Sequence, residues 1–113
     1  MTEIWRVARA GNAARLAPEC ERAAWDGLLL GDSQNRFPEV WIELAVASSV
    51  TSRLKIGTGV TNPVTRDAAV TAAAAATLQR ASCGRAVLGI GRGDSSLASI
   101  GRGTASIGDF ELY

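Results

Sequence analysis

The sequence contains no histidine. This absence removes the most common general base of enzymes, the most common metal ligand and every Ser-His or Cys-His catalytic arrangement. There are two cysteines, Cys20 and Cys83, and they cannot build a zinc site alone. Free thiols fit better than a disulfide, because apolar residues make up 47% of the chain and can supply a core. We therefore expect a cytoplasmic protein with no metal site.

The chain also lacks an excess of charge of either sign. Lys and Arg number 12 and Asp and Glu number 11, so the net charge is +1. This balance argues against a nucleic acid or a membrane surface as the partner, because both attract strongly basic proteins. No apolar run approaches the ~18 residues that a membrane-spanning helix needs, and the N-terminus does not resemble a signal peptide. A chain of 113 residues has room for one domain with one core.

What the chain does have is an alternation of strand and helix patterns. GLLLG, a continuous apolar run between glycines, is typical of a strand buried on both faces of a parallel sheet. The first helix is expected to break or to start late at Pro18, since proline donates no backbone N–H. Asp67 and Gly84 delimit the third helix. The predicted strands are residues 4–8, at an edge, 27–31, 54–60 and 85–89, and the predicted helices lie in residues 11–25, 38–50 and 68–81.

The tryptophans and the paired glutamates within these elements are predicted to have structural roles rather than functional ones. Trp5, Trp25 and Trp41 each border an apolar segment and are predicted to be core residues. Glu39 and Glu43 are one helical turn apart, which is typical of a solvated helix face. In the third strand, strict alternation would place Leu54, Ile56, Thr58 and Val60 on one face.

The order of elements predicts an α/β fold of parallel βαβ units with right-handed crossovers. Two architectures remain open. The first is half of a (β/α)8 TIM barrel, and the second is a small, open, doubly wound sheet. In both, ligands bind at the carboxyl ends of the strands. Three polar clusters follow the second, third and fourth strands and therefore converge on one rim, at residues 32–34, 59–62 and 91–95.

The glycine-rich segment 89–96 (GIGRGDSS) is typical of an anion cradle. Small residues let backbone N–H groups approach a ligand, a short helix follows, and Arg92 can add a full charge. The alternative is a plain turn after a strand. The segment matches neither the dinucleotide-binding fingerprint, which needs a third glycine where Asp94 stands, nor a P-loop, which needs a Lys.

Two further features of the rim have alternative interpretations. Gly57 and Gly59 weaken a core strand, so they indicate either close approach of a flat ligand or a bulge, or tight packing against the helix at 68–81. Asp32 directly follows a buried strand. It is expected to bind a ligand or a neighbouring loop, or else to cap a backbone N–H.

Three segments together resemble the luciferase-like flavin-dependent oxidoreductases, and most closely the branch of F420-dependent reductases similar to methylenetetrahydromethanopterin reductase. The order and spacing of all three agree with the family, and the resemblance covers nearly the whole chain but only the amino-terminal half of the family domain. Relatives commonly have His where Asp67 stands, which removes any imidazole contact there. The segments are DGLLLGDSQ at 26–34, RLKIGTGVTNPVTR at 53–66 and GRAVLGIGRGDS at 84–95.

The resemblance implies that residues 1–113 form the first four strands of a (β/α)8 barrel. It implies a non-proline cis peptide at Gly59–Val60 that backs the ring of a bound F420 or FMN. The cofactor would carry hydride transfer or oxygen use, and the protein would orient it. No catalytic side chain is identified. The implied cofactor-binding residues are Asp32, Gly59, Val60, Thr61 and Asn62, with Gly91, Arg92, Gly93 and Asp94 near the phosphate-bearing tail.

The expected function is therefore a flavin- or F420-dependent oxidoreductase, reductase or monooxygenase, acting on a small molecule. Two alternatives remain, which are a non-catalytic half-barrel that assembles with another chain and a simple phosphate-binding module. Half a barrel exposes its first and last strands as edges, so we expect a homodimer or a chain that completes the barrel.

Overall fold

The computed structural model describes every residue from Met1 to Tyr113. Strands and helices alternate as predicted, with bounds that differ from the predicted ones by a few residues at most except in the first helix. The elements are β1 (Trp5–Arg9), α1 (Ala13–Arg22), β2 (Gly27–Gly31), α2 (Val40–Ser49), β3 (Lys55–Thr61), α3 (Ala68–Ala81), β4 (Ala86–Ile90), α4 (Ser95–Ala98) and α5 (Ile107–Leu112).

The four strands form one parallel sheet in the order β1-β2-β3-β4, with β1 at an edge as expected. Each crossover helix therefore moves one strand in the same direction, and right-handed crossovers bring all three helices to the same face. Consecutive helices α1, α2 and α3 pack against one another. This winding is that of a (β/α)8 barrel, since a doubly wound sheet reverses its strand order. The predicted fold class is confirmed, and the alternative of a doubly wound sheet is wrong.

The core lies between the sheet and the helices. Leu28, Leu30 and Ile56 point to this side and are fully buried, together with Leu44 of α2 and Ala17 of α1. The opposite face of the sheet is not covered by any helix of the chain. There Val7 pairs with Leu29, and Val7 is 65% exposed. The prediction that the strand GLLLG is buried on both faces is therefore right for the helix side only.

Helix α1 does not break or start late at Pro18, so that prediction is wrong. The helix begins at Ala13 and continues through Pro18 to Arg22. Pro18 removes a single hydrogen bond, the one to the carbonyl of Ala14, and Ala14 is exposed so that water can bind its carbonyl. Burial of one face, which includes Leu16, outweighs that loss.

Helix α3 has the predicted bounds and the predicted caps. The Asp67 carboxylate accepts a hydrogen bond from the backbone N–H of Ala69 at 2.9 Å. The helix ends as Cys83 and Gly84 adopt positive φ angles, of 54° and 91°. Cys20 and Cys83 are both free, as expected. None of the helices combines the length and the apolar character that a membrane span requires.

The three tryptophans are less buried than predicted. Trp25 and Trp41 pack against the edge of the core and keep part of their surface exposed. Trp5 lies on the uncovered face of the sheet, where a Cβ on Gly27 would come within 2.2 Å of its ring. These indoles therefore border the core rather than form it.

The C-terminal segment forms a short helix, α5, that the sequence pattern did not predict. The Ser106 side chain caps it by accepting from the N–H of Asp109 at 3.0 Å. The hydroxyl of Tyr113 donates to the carbonyl of Arg66 at 3.0 Å and is hydrogen-bonded to Thr71 of α3 at 2.5 Å. These bonds fix the end of the chain beside the loop that follows β3.

Candidate functional site

A cavity of about 670 Å³ opens at the carboxyl ends of the strands. We call it the rim cavity. Its walls come from the carboxyl ends of β2 and β3 and from the segments that follow β2, β3 and β4, which the sequence predicts to converge. All nine predicted site residues line it, and their contact with a cofactor stays a prediction. These residues are Asp32, Gly59, Val60, Thr61, Asn62, Gly91, Arg92, Gly93 and Asp94.

The end of β3 is irregular at the wall of the rim cavity. The peptide bond Gly59–Val60 is cis, as the family resemblance implies. The register with β4 shifts between Thr58 and Thr61, so β3 carries a bulge there. The alternation predicted for β3 holds for Leu54, Ile56 and Thr58, which are buried, but does not extend to Val60. Its side chain is 49% exposed and lines the cavity, because a bulge interrupts the alternation of faces along a strand.

The two glycines of β3 allow close approach between strands. A Cβ on Gly57 would lie 2.0 Å from the carbonyl oxygen of Val87 on β4, and a Cβ on Gly59 would lie 2.7 Å from the Cβ of Leu29 on β2. Neither position meets helix α3. The alternative that these glycines serve packing against that helix is therefore wrong, and the bulge interpretation is right.

Asp32 binds the neighbouring loop. Its side chain is only 2% exposed. The carboxylate accepts from the hydroxyl of Thr61 at 2.8 Å, from the Gln34 amide at 2.8 Å and from the Arg66 guanidinium at 2.5 Å. It accepts from no backbone N–H, so the interpretation of Asp32 as a backbone cap is wrong. The bonds join the loops after β2 and β3.

Arg66 connects this region to helix α2, a role that no motif in the sequence predicts. Its guanidinium bridges Asp32 and Glu39, and its side chain is 12% exposed. Burial opposes the charge, but hydrogen bonding and attraction from Asp32, and then from Glu39, outweigh burial and raise the pKa of Arg66. The signal available in the sequence is a lone arginine in the loop after β3, but nothing in sequence spacing identifies carboxylates 27 and 34 positions away.

Glu39 and Glu43 have specific partners, which corrects the expectation of a merely solvated face. Glu39 caps α2 by accepting from the N–H of Trp41 at 2.7 Å, and it also binds Arg66. The Glu43 carboxylate accepts from the N–H groups of Gly11 and Ala13, at 3.0 and 2.9 Å. Glu43 therefore ties α2 to the start of α1.

Asn62 shapes the loop after β3. It is 1% exposed, and its side-chain oxygen accepts from the N–H groups of Val64 at 2.9 Å and Thr65 at 3.0 Å. These bonds close an Asx turn. The amide orientation is thereby fixed, and its buried Nδ2 has no partner within the chain.

The loop after β4 presents unused hydrogen-bond donors. The N–H groups of Arg92, Gly93 and Asp94 donate to no acceptor within the chain. Gly93 has a φ of 78°, and a Cβ there would lie 2.4 Å from Leu97. Arg92 donates through Nε to the carbonyl of Ala105 at 2.7 Å, which leaves its two terminal nitrogens free. Successive free N–H groups beside a guanidinium are suited to an anion.

Other residues line the rim cavity besides those predicted to bind a cofactor. The arginine at position 36 adds a second positive charge, and its guanidinium lies 5.8 Å from the ring centre of Phe37. Thr104 comes from the C-terminal segment, which no motif assigned to the site. The additional lining residues are Gly31, Ser33, Arg36, Phe37, Ser95, Ser96 and Thr104.

The chain matches the family model described as luciferase-like monooxygenase over residues 3–111. It is 39% identical over 90 residues to the 5,10-methylenetetrahydromethanopterin reductase of Methanolobus tindarius, a match that covers 80% of this chain and 26% of the relative. The corresponding enzyme of Methanopyrus kandleri is 36% identical over 83 residues, with 74% of this chain and 24% of the relative covered. The chain thus spans about a quarter of the length of these curated relatives.

The chain is also similar to solved structures. The F420-dependent tetrahydromethanopterin reductase of Methanopyrus kandleri superposes with a TM-score of 0.82 and 30% identity, over 88% of this chain and 30% of that one. The oxygenating component of 3,6-diketocamphane monooxygenase from Pseudomonas putida, in complex with FMN, has a TM-score of 0.75 and 20% identity, over 89% and 32%. The second likeness supports the fold alone.

Proposed function

The chain belongs to the luciferase-like monooxygenase family, and from this premise we propose that its rim cavity binds the planar ring of F420 or FMN in an oxidoreductase. One observation carries the proposal. Residues from three separate loops, 32–33, 59–62 and 91–96, line a single cavity. The cavity's volume of about 670 Å³ lies within the ~300–1,000 Å³ of small-molecule sites.

The ring is proposed to lie against the Gly59–Val60 segment. Gly59 has no side chain, and Val60 offers an exposed apolar surface. A flat apolar ring packs favourably on such a surface. Thr61 holds the segment in place through its bond to Asp32 in the loop after β2, and Asn62 through its bonds within its own loop. A wall of this kind orients a ring without supplying an ionisable group to it.

The phosphate-bearing part of the cofactor is proposed to lie against the loop after β4. Free N–H groups at Arg92, Gly93 and Asp94 and the free terminal nitrogens of Arg92 are suited to bind phosphate oxygens. When bound, the cofactor supplies hydride transfer or the use of oxygen, and the protein supplies binding and orientation. The absence of histidine is compatible with such chemistry, since the cofactor and not a side chain carries the redox step.

A titration with chromophores tests this proposal. Purified protein is titrated with F420 and FMN in parallel, with riboflavin as the analogue without phosphate and inorganic phosphate as the ion alone. We expect saturable changes in absorbance or fluorescence with F420, FMN or both. If neither binds and phosphate does, the chain is a simple anion-binding module and the redox proposal fails.

We further propose that residues 1–113 act as one barrel segment that assembles with another chain, either a second copy or one that supplies further strands. Strands β1 and β4 are both unpaired edges, and Val7 is 65% exposed on the face that no helix covers. Open edges and apolar sheet faces favour association. A protein mass above that of one chain in light scattering supports assembly, and a stable monomer contradicts it.

A matched pair of variants tests where the assembly forms. Val7→Glu places a charge on the uncovered face of the sheet, and we expect it to reduce the measured mass to one chain. Val70→Glu is the control, since Val70 is similarly exposed (55%) but lies on helix α3. If both variants keep the mass of the parent, the uncovered sheet face is not the interface.

A further inference from the structure

An ion-pair network lies behind the wall of the rim cavity. Arg66 does not line the cavity, whereas Asp32 does. The Arg66 guanidinium donates through Nη1 to Asp32 Oδ2 at 2.5 Å and through Nη2 to Glu39. A positive charge therefore stands directly behind a carboxylate of the cavity wall.

The hydrogen-bonding capacity of Asp32 is already used within the chain. Oδ2 accepts from Arg66 and from Thr61, and Oδ1 accepts from Gln34 at 2.8 Å and from Arg66 Nη2 at 3.4 Å. A carboxylate has about four acceptor sites, so none remains for a ligand. Asp32 thus contributes to the cavity as a compensated charge rather than as a ligand-binding group.

Removal of Arg66 would change the charge of the cavity wall. Asp32 would remain as a buried carboxylate without its counter-ion, a state that is strongly unfavourable. F420 and FMN carry phosphate groups, so an uncompensated carboxylate in the same cavity would repel them. Arg66 also joins three segments, since Asp32 follows β2, Glu39 caps α2 and Arg66 itself follows β3.

Resting on the function proposed above, we infer that Arg66 is a positioning residue that makes the rim cavity receptive to an anionic cofactor by compensating and holding Asp32. It acts through Asp32 and Thr61 and does not touch the ligand. The inference assigns Asp32 a different role from the direct cofactor contact that the family resemblance implies.

The test is a rescue experiment on chromophore binding. We expect Arg66→Met to weaken the binding of FMN or F420 by about tenfold or more, the range of electrostatic effects at a buried charge pair. Adding Asp32→Asn to this variant removes the uncompensated charge, and we expect affinity to return to within about threefold of the parent. Arg80→Met is the matched control, because Arg80 is exposed and its side chain makes no hydrogen bond.

The outcomes separate this inference from the proposed function. If the unaltered protein binds neither chromophore, the proposed function fails and the inference fails with it. If it binds but Arg66→Met and the double variant are equally weak, or if Arg66→Met binds normally, only the inference is overturned. Should Arg66→Met not fold, Arg66→Lys takes its place. Because lysine keeps a positive charge beside Asp32, the inference requires Arg66→Lys to bind the chromophore within about threefold of the parent, and a loss of about tenfold would overturn it.

Discussion

Val60 and Gly91 are in direct contact across β3 and the loop after β4. A Cβ on Gly91 would lie only 2.9 Å from Cγ2 of Val60. Val60 is half exposed and lines the rim cavity, so it can shift only at the expense of the cavity. The glycine at position 91 therefore sets the shape of the wall on which the ring is proposed to lie.

We predict that Gly91→Ala weakens chromophore binding severalfold and leaves the thermal midpoint nearly unchanged. The added methyl group meets the half-exposed side chain of Val60 rather than backbone, so relief of the contact displaces the cavity wall and leaves the buried core in place. Titration with FMN and F420 gives the affinity and a thermal melt gives the midpoint. Gly103→Ala is the control, since nothing lies within 4 Å of a Cβ there. Equal affinities of the two variants would contradict the prediction.

Arg92→Met should lower the affinity for FMN by about tenfold and leave that for riboflavin nearly unchanged. A charge-assisted bond to phosphate contributes roughly 1.5–3 kcal/mol, and riboflavin has no phosphate. The two ligands are compared by fluorescence titration. Arg102→Met serves as the control, because Arg102 is exposed and its side chain has no hydrogen bond. An equal loss of affinity for both ligands would show that Arg92 contributes to the shape of the cavity rather than to phosphate binding through its charge.

Gly57→Ala should destabilise the fold by at least about 3 kcal/mol, the upper range of overpacking effects. The new Cβ would lie 2.0 Å from the carbonyl oxygen of Val87, which is backbone and can move only if β3 and β4 separate. Urea unfolding measures the loss, again against Gly103→Ala. If the unfolding free energies of the two variants differ by less than about 1 kcal/mol, as for ordinary surface substitutions, the close approach of β3 and β4 at Gly57 is contradicted.

The stability contributed by Glu21 should depend on pH. Burial opposes its ionisation, but backbone N–H donors at Arg53, Leu54 and Ser52 outweigh burial and lower the pKa of Glu21 below its usual 4.5. A lowered folded-state pKa stabilises the protein above the unfolded-state value, and the contribution is lost as pH falls through the folded value. The difference in unfolding free energy between the parent and Glu21→Gln should therefore be full near neutral pH and shrink below pH 4.5.

The control for this prediction is Glu111→Gln, since the Glu111 side chain is exposed and makes no hydrogen bond. Its effect on unfolding should stay small and change little over the same pH range. A Glu21→Gln difference that is constant with pH would show that the carboxylate is not stabilised by those N–H groups.

Local sequence patterns predict those helices and strands that are determined by interactions between residues close together in the chain. GLLLG forms β2, and the alanine-rich run forms α3 with Asp67 as its cap, because propensity and capping depend on residues a few positions apart. Pro18 was misjudged because the burial of one face of α1 is a tertiary contribution. Helix α5 was missed because its position depends on contacts of Tyr113 with residues more than 40 positions earlier.

The sequence by itself determined the α/β alternation, the family and the three loops that meet at the rim, because the carboxyl ends of parallel strands necessarily share one edge of a sheet. Only the tertiary structure decided how those loops use their side chains. The pairing of Arg66 with Asp32 and the exposure of Val60 both arise where distant segments meet, through a charge 34 positions away in one case and a bulge in the other. Sequence spacing carries no information about such long-range contacts.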